Sequence, residues 1–329
     1  EPQPGAFRSI GVRVVPEVRR FRLPQVWVQL QLLRHVRGGL LSFCNLAPVS
    51  VGRHIACIHD LHTRLMPESY GRLFRLAHRA ILPALGRRAA CVTTVSELSR
   101  QHLIEYGVAP ADKIVVTYNG ADHAARWDAG RSTIDLPSRP YVLCLGRSQY
   151  HKNLGLLLKL APLLDRMGLD LVMAGEVDPG TIRQHVAEMP ANLRLPGHVG
   201  DDDVARLLSN ALCFLFPSRI EGFGLPAVEA MTWGCPVVAS TAPCLPEICG
   251  DAALYADPDE PEAWIARIAQ LKESGPLRTE MVEAGKRRVE RFQWRTIAET
   301  YLRLMARMDG VADARTPADD AAPHGGPPR

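Results

Sequence analysis

The stretch SRIEGFGLPAVEAMTWGCPVVAS, running from Ser218 to Ser240, sets two carboxylates, Glu221 and Glu229, around Gly222, Gly224 and Pro226 at the mouth of an apolar run. Before it, ALCFLF (211–216) reads as a buried strand, and RIEGFG reads as a loop whose glycines allow close backbone approach or a positive φ. Pro226 fits the first helical position, where its missing N–H costs nothing. The helix then runs through AVEAMTW and stops at Gly234, with Pro236 beyond. The amides of Gly224, Leu225 and Ala227 face outward in this reading, and with the positive end of the helix dipole they form an anion site suited to a diphosphate. Glu221 lies before the helix and Glu229 one turn inside it, so the two can serve separate places on one extended ligand. A capped surface helix with two solvated carboxylates fits the spacing equally well. Arg147 and Lys152 follow another strand, YVLCLG, at the entry to the next helix. A solvated cation pair is the plain reading there. Beside a diphosphate site, the same two cations would neutralise a leaving group through charge-assisted hydrogen bonds without a metal.

These residues need a scaffold that brings strand ends together. Short β-branched runs alternate with longer helical patterns along the chain, the signature of βα units and parallel sheets. Strands are expected at 54–59, 91–95, 113–118, 141–146, 170–175, 211–216, 236–240 and 253–256, with helices at 153–167 and 202–211. The fold class is α/β, with two doubly wound Rossmann-like domains facing a cleft. Residues 1–134 form the first domain and 135–140 (DLPSRP, two prolines) a linker. Residues 141–295 form the second domain, 296–309 a helix able to pack back on the first, and 310–329 a Pro/Gly/Ala-rich tail expected to be disordered. AFRSIGVRVVPE can supply one strand, yet the first domain is expected to lack its opening βα unit or units. In open parallel sheets ligands bind beyond the strands' carboxyl ends. Those ends here read HD (His59, Asp60), SE (Ser96, Glu97), NGAD (119–122), GRSQYHKN (146–153), GEVD (175–178) and PSRIEGFG (217–224). Six polar ends in register line a cleft from both sides.

Composition narrows the function classes. The net charge of +4 is compatible with anionic small molecules or membrane surfaces and too weak to argue for nucleic acid. No apolar run is long enough to span a membrane, and the N-terminus shows no apolar signal core, so export is not expected and a cytosolic setting is. The eight cysteines include no CxxC pair and are expected to be reduced structural thiols. GDDDVARLL resembles an Asp-x-Asp metal motif, but its aspartates directly precede an apolar-periodic helix, where they serve as caps; no metal is expected. VRRFRLPQVWVQLQLLRHVRGG (18–39) sets arginines around an apolar stripe with Trp27. A packed helix with a solvated arginine face is the preferred reading, and contact with an anionic membrane is the other.

Assembled, these motifs resemble the retaining GT-B glycosyltransferases of family 4, from about Val14 to Leu304. The most specific element is the Glu-x7-Glu motif EGFGLPAVE followed by AMTWGCPVVAS. IHDL, TVSELSR, YNGAD, YVLCLGR…HKNL, LPGHVGDDDV, CLPEICGDAALYADP and FQW support it. The resemblance implies that Arg147 and Lys152 grip the donor diphosphate and stabilise the departing nucleoside diphosphate. It implies that Glu221 binds sugar hydroxyls and Glu229 the ribose. The amides of Phe223, Gly224 and Leu225 would contact sugar and phosphates, and His198 and Val199 would lie where the base docks. His59 would come from the first domain to hydrogen-bond the sugar near the reacting carbon. The implied reaction is same-face displacement through an oxocarbenium-like transition state, with no protein nucleophile, no metal and no other cofactor. Two departures stand out: the family's glycine-rich loop after the first strand is not visible, and the residues between Arg147 and Lys152 leave the lysine alignment open. The expected function is transfer of a mannose-type sugar from a nucleoside-diphosphate sugar to a glycan or lipid-linked acceptor, at or near the inner face of the plasma membrane. The rivals are a catalytically incomplete relative that binds a nucleotide or a partner, and a sugar-nucleotide epimerase or a phosphorylase.

Overall fold

The computed structural model of the chain describes residues 27–146 and 149–311. AFRSIGVRVVPE, the basic segment as far as residue 26, Arg147 and the tail from 312 lie outside the described residues. Two parallel sheets organise the rest. The first holds β1 (Leu40–Ser42), β2 (His54–Cys57), β3 (Cys91–Thr94) and β4 (Ile114–Val116), paired in chain order. The second holds β5 (Tyr141–Leu145), β6 (Asp170–Ala174), β7 (Leu193–Gly197), β8 (Cys213–Phe216), β9 (Val237–Ser240) and β10 (Ala253–Ala256). Its order is β10-β9-β8-β5-β6-β7. The chain therefore starts at mid-sheet, runs outward to β7, and returns across β5 to build the other half. The order reverses between β5 and β8, and the crevice at their carboxyl ends is the natural ligand position in such a sheet.

The central strands are apolar on both faces because helices cover both sides of each sheet. Every residue of β2, β6, β8 and β9 is buried. The helices that matter below are α1 (Arg72–Arg88), α2 (Glu97–Glu105), α3 (Leu154–Arg166), α4 (Asp201–Asn210), α5 (Leu225–Thr232), α6 (Cys244–Cys249), α7 (Pro261–Glu273), α8 (Gly275–Val289) and α9 (Trp294–Met308). α3 lays Leu157, Leu160, Ala161 and Leu164 on one flank of the second sheet, where α7 adds the fully buried Trp264 and Ile268. α5 and α8 close the other flank through Ala227, Met231 and Ala284.

Two strands fall outside the expected set. β1 is three half-exposed residues, at the sheet edge among the described residues and too short to show a period. β7 carries Pro196 and alternates between exposed and partly covered positions, which is edge-strand character. The other strands lie within the expected segments and are up to three residues shorter.

The two sheets are joined by more than the linker. α9 returns to the first sheet, where Ile297, Tyr301 and Leu304 pack on Ile55. The Tyr301 hydroxyl lies 2.9 Å from Thr93 Oγ1 and 3.2 Å from Thr117 Oγ1. Glu247, on α6, accepts the amides of Glu97 (2.7 Å) and Leu98 (3.1 Å), so a carboxylate of one half caps a helix of the other. Phe223 packs between Tyr118 and Phe292, with ring centroids 6.3 and 5.3 Å away.

Candidate active site

The loop after β8 is shaped by its glycines. Gly224 has φ +97°, and a Cβ there would come within 2.8 Å of Leu245 Cδ2 and 3.1 Å of Phe216 Cε1. A side chain is thus disfavoured by conformation and by space. A Cβ on Gly222 would meet the His59 carbonyl oxygen at 3.0 Å, so this loop touches the end of β2 in the opposite half. Helix α5 starts at Leu225, which puts Pro226 at its second position rather than its first. The Ala227 amide is spent on the Gly224 carbonyl (3.0 Å) and does not face the cleft, because the chain tightens into a 3₁₀-type bond at the helix start. The amides of Gly224 and Leu225 are claimed by no backbone acceptor among the described residues.

Lys152 Nζ donates to Glu221 Oε1 at 2.6 Å, with the side chains 23% and 11% exposed. Nζ also lies 5.7 Å from the centre of the Phe216 ring. The pair spans the carboxyl ends of β5 and β8, where the strand order reverses. Lys152 is placed by a 3₁₀ turn, Tyr150–Lys152, that ends in the left-handed Asn153 (φ 58°) and leads into α3. Its neighbour His151 is buried, and its Nδ1 lies 3.2 Å from Ser69 Oγ of the first half. Burial first, and the Lys152 charge second, push the His151 imidazole down to about 4, so it is neutral beside the lysine.

Glu229 is 9% exposed and lies 2.9 Å from His123 Nε2. Desolvation raises its carboxyl above the usual range, and the His123 hydrogen bond works against that rise. On the other side of the ring, Trp294 Nε1 donates to His123 Nδ1 at 3.2 Å. An indole N–H is a donor only, so Nδ1 must accept and the ring proton sits on Nε2, pointing at Glu229. The sequence reading missed His123 and gave Trp294 no role. Their signals were the residue after NGAD and the last residue of FQW.

His59 ends β2. Its Nε2 is 2.6 Å from the Phe43 carbonyl oxygen, and its backbone amide donates to Asn45 Oδ1 at 2.7 Å. The imidazole is pushed up to about 9, chiefly by a hydrogen bond to the Cys57 sulfur, against its own burial. Nε2 is thus engaged within the first half, and a sugar hydroxyl binding there would have to replace the Phe43 carbonyl. Asp60 Oδ1 accepts the His62 amide at 3.0 Å. The backbone of His59 is what meets the loop after β8.

The cleft in front of β5 and β6 has a volume of about 920 Å³ and is lined by Gly146, Gly175, Glu176, His198 and Val199, with Glu68 and Ser69 from the first half. Gly175 (φ +121°) lies so close to Gly146 that a Cβ would stand 2.6 Å from the Gly146 carbonyl oxygen, which flattens the cleft floor. The chain brings together Lys152 with Glu221, and Glu229 with His123, and puts His198 and Val199 on the cleft wall; Phe223 offers only backbone, because its side chain is buried. In the acidic run, Asp203 accepts from the Gly200 amide (3.1 Å) and from Ser132 Oγ (2.6 Å), and Asp202 accepts the Asp128 amide (2.8 Å). Asp203 therefore caps α4 from inside its first turn, not from ahead of it, and both carboxylates tie the helix to the segment leading into the second half. The lysine–carboxylate pair after the strands where the order reverses, and the second carboxylate one turn inside α5, suit a ligand with a diphosphate and a polyhydroxylated end.

Comparisons with known proteins agree with this geometry. The family described as "Glycosyl transferases group 1" matches residues 131–288, and "Glycosyltransferase Family 4" matches residues 4–125. Escherichia coli "O-antigen chain mannosyltransferase B" is 31% identical over 261 residues, which are 75% of this chain and 68% of that protein. Salmonella typhimurium "O-antigen chain mannosyltransferase RfbU" is 25% identical over 66% of this chain, and the match spans only 60% of that relative's length. Among solved structures, "WaaG, a glycosyltransferase involved in lipopolysaccharide biosynthesis" aligns with a TM-score of 0.66 at 16% identity, covering 95% of this chain and 89% of that one. That likeness is one of fold.

Proposed function

The chain belongs to the group 1, family 4 glycosyltransferases, and on that premise we propose that it moves a mannose-type sugar from a nucleoside-diphosphate sugar to a glycan or lipid-linked acceptor, with retention at the anomeric carbon and without a metal. The observation that carries the reading is the Lys152–Glu221 pair, held 2.6 Å apart at the strand-order reversal and facing the end of β2. The mannose preference rests on the names of the relatives.

In this reading the donor diphosphate lies at the start of α5, against the Gly224 and Leu225 amides and the dipole of that helix. Lys152 exchanges Glu221 for phosphate oxygens as the donor enters, which releases Glu221 to accept sugar hydroxyls. Arg147, which the sequence places beside Lys152, supplies the second cation. As the glycosidic bond to phosphate breaks, negative charge grows on the leaving oxygen, and these cations stabilise it where it develops. The acceptor hydroxyl attacks from the face the phosphate leaves, and its proton passes to a departing phosphate oxygen. Glu229, held by His123, takes the ribose hydroxyls, and His198 and Val199 flank the base. His59 gives the first half's contribution beside the sugar, once one of its ring partners is exchanged.

The test is to incubate the chain with GDP-mannose and a panel of UDP-, ADP- and dTDP-sugars, with and without EDTA, on lipid-linked and free mannoside acceptors. The reading expects one donor class to be consumed, EDTA to have no effect, and the product to keep the donor's anomeric configuration by NMR. An inverted product, or a requirement for added metal, would refute the mechanism.

A further inference from the structure

His151 precedes Lys152 on the 3₁₀ turn Tyr150–Lys152, and its side chain is only 7% exposed. The imidazole crosses from the second half into a polar socket of the first. There Nδ1 lies 3.2 Å from Ser69 Oγ, and the ring stands against that of His62, with centroids 5.5 Å apart and planes at 49°. His62 is itself fixed to Asp60, whose Oδ1 accepts its amide at 3.0 Å and whose Oδ2 lies 3.7 Å from its Nδ1. The backbone of His151 is tied elsewhere. Its carbonyl accepts the amide of Arg219 at 2.8 Å, on the loop that carries Glu221. One residue thus joins the first half, the Lys152 turn and the Glu221 loop.

A 3₁₀ turn has three residues per revolution, so successive side chains leave it about 120° apart. The imidazole goes to Ser69 and the ammonium of Lys152 to Glu221, 2.6 Å away. The turn cannot rotate about its axis without losing one contact or the other. Its amides hold its shape, since Lys152 donates to the Gln149 carbonyl at 2.9 Å and Asn153 to that of Tyr150 at 3.1 Å. Burial gives the Ser69 contact its weight. A buried ring nitrogen deprived of its partner carries the desolvation penalty of an unmade hydrogen bond, and a satisfied buried pair fixes one arrangement. The imidazole is neutral and sets no second positive charge beside Lys152. The contact also lies where the halves face each other, because Ser69 walls the donor cleft from one side and Gln149 and Tyr150 from the other.

We propose that His151 is a positioning residue for Lys152, and that the Ser69 hydroxyl is the contact by which the first half sets the direction of that lysine. Seating the two halves and aiming the cation at the donor phosphates are then one event. With the Ser69–His151 clasp open, the turn is free to rotate and Lys152 Nζ leaves the place where the leaving group's charge develops. A misplacement of about 1 Å is enough to cost on the order of 10² in rate. The inference rests on the reading of Lys152 as the diphosphate ligand and names what holds it there. One arm of its test, hydrogen exchange without nucleotide, stands even when that reading falls.

The variants are Ser69→Ala, which removes the hydroxyl, and Ser69→Thr, which keeps it, each alone and in a Lys152→Ala background. Ser69 is partly exposed, and circular dichroism with thermal melting checks that each variant is folded. Calorimetry with GDP, UDP, ADP and dTDP reads nucleotide affinity. Ser69→Ala is expected to weaken binding of the preferred nucleotide about three- to tenfold, and Ser69→Thr by less than about twofold. Neither should weaken it further once Lys152 is alanine, because Ser69 then has no lysine to act through. In the nucleotide-free chain, the amides of Lys152, Asn153 and Arg219 should exchange about tenfold faster in Ser69→Ala, with protection restored in Ser69→Thr. Additive losses in the Ser69–Lys152 cycle would overturn the proposal. Unchanged exchange at those three amides would overturn it as well, whether or not a nucleotide binds. If the parent chain binds none of the four nucleotides, the donor-site reading fails, and the exchange result alone decides whether the clasp holds the Lys152 turn.

Discussion

Replacing His123 by alanine removes the donor that faces Glu229 and leaves the rest of the pocket in place. The hydrogen bond is 2.9 Å long and its acceptor is a carboxylate only 9% exposed. A hydrogen bond to a charged group contributes about 1.5–3 kcal/mol, and each 1.4 kcal/mol is about tenfold in a binding constant. If ribose hydroxyls bind the ionised Glu229, nucleotide affinity should fall roughly 10- to 150-fold. The pH dependence supplies the sharper signature. Burial already raises the Glu229 carboxyl, and His123 opposes that rise. Without His123 the carboxyl rises further, so the acid limb of the affinity–pH profile moves to higher pH. Trp294→Phe should weaken nucleotide binding less than His123→Ala does, since it removes the indole donor (3.2 Å) that orients the ring and leaves the His123 contact to Glu229 in place. The assay is calorimetric titration of the preferred nucleoside diphosphate from pH 5.5 to 8.5 on the parent chain and both variants. A His123→Ala chain that binds within about twofold of the parent, with an unmoved acid limb, would refute this reasoning.

Lys152→Ala should lower single-turnover donor consumption by about 10²–10³, with Lys152→Arg retaining part of it; quench-flow with radiolabelled donor checks both. Glu229→Gln should raise the melting temperature of the nucleotide-free chain near neutral pH while weakening nucleotide binding. A raised carboxyl binds a proton in the native state that the unfolded chain has released, so stability falls as pH climbs through that window, and glutamine removes the slope. Calorimetry at several pH values reads it. Gly224→Ala forces a side chain at φ +97° into contact with Leu245 and should cost about 1–3 kcal/mol, read by urea denaturation. Glu247→Ala removes both acceptors at the start of α2 and should cost about 0.5–2 kcal/mol; small-angle scattering should show a larger radius of gyration as the two halves separate.

The scaffold was legible where burial enforces a pattern. β2, β6, β8 and β9 are buried throughout and mostly apolar because both faces are covered, and each was visible as a run. β1 and β7 were not, because β1 is only three half-covered residues and β7 carries Pro196 and the exposed Arg194 in place of an apolar run. The loop after β8 was legible through Gly224 and Pro226, whose conformational demands are local. Contacts between distant segments were not. Nothing in the sequence alone pairs His123 with Glu229, 106 positions away, or sends Glu247 across to the amides of Glu97 and Leu98. The Ala227 amide was misassigned because whether a helix opens with a 3₁₀-type bond depends on the tertiary setting of its first turn.

The central claim is that the cleft between the sheets binds a nucleoside diphosphate through the Lys152–Glu221 switch point. The most direct measurement is calorimetric titration of the chain with GDP, UDP, ADP and dTDP, with and without EDTA, beside a Lys152→Ala variant. The account predicts saturable binding of one nucleotide, indifferent to EDTA and weakened by about tenfold or more in the variant, the scale of one charge-assisted hydrogen bond. Binding of none of the four, or binding that the variant leaves unchanged, would contradict it.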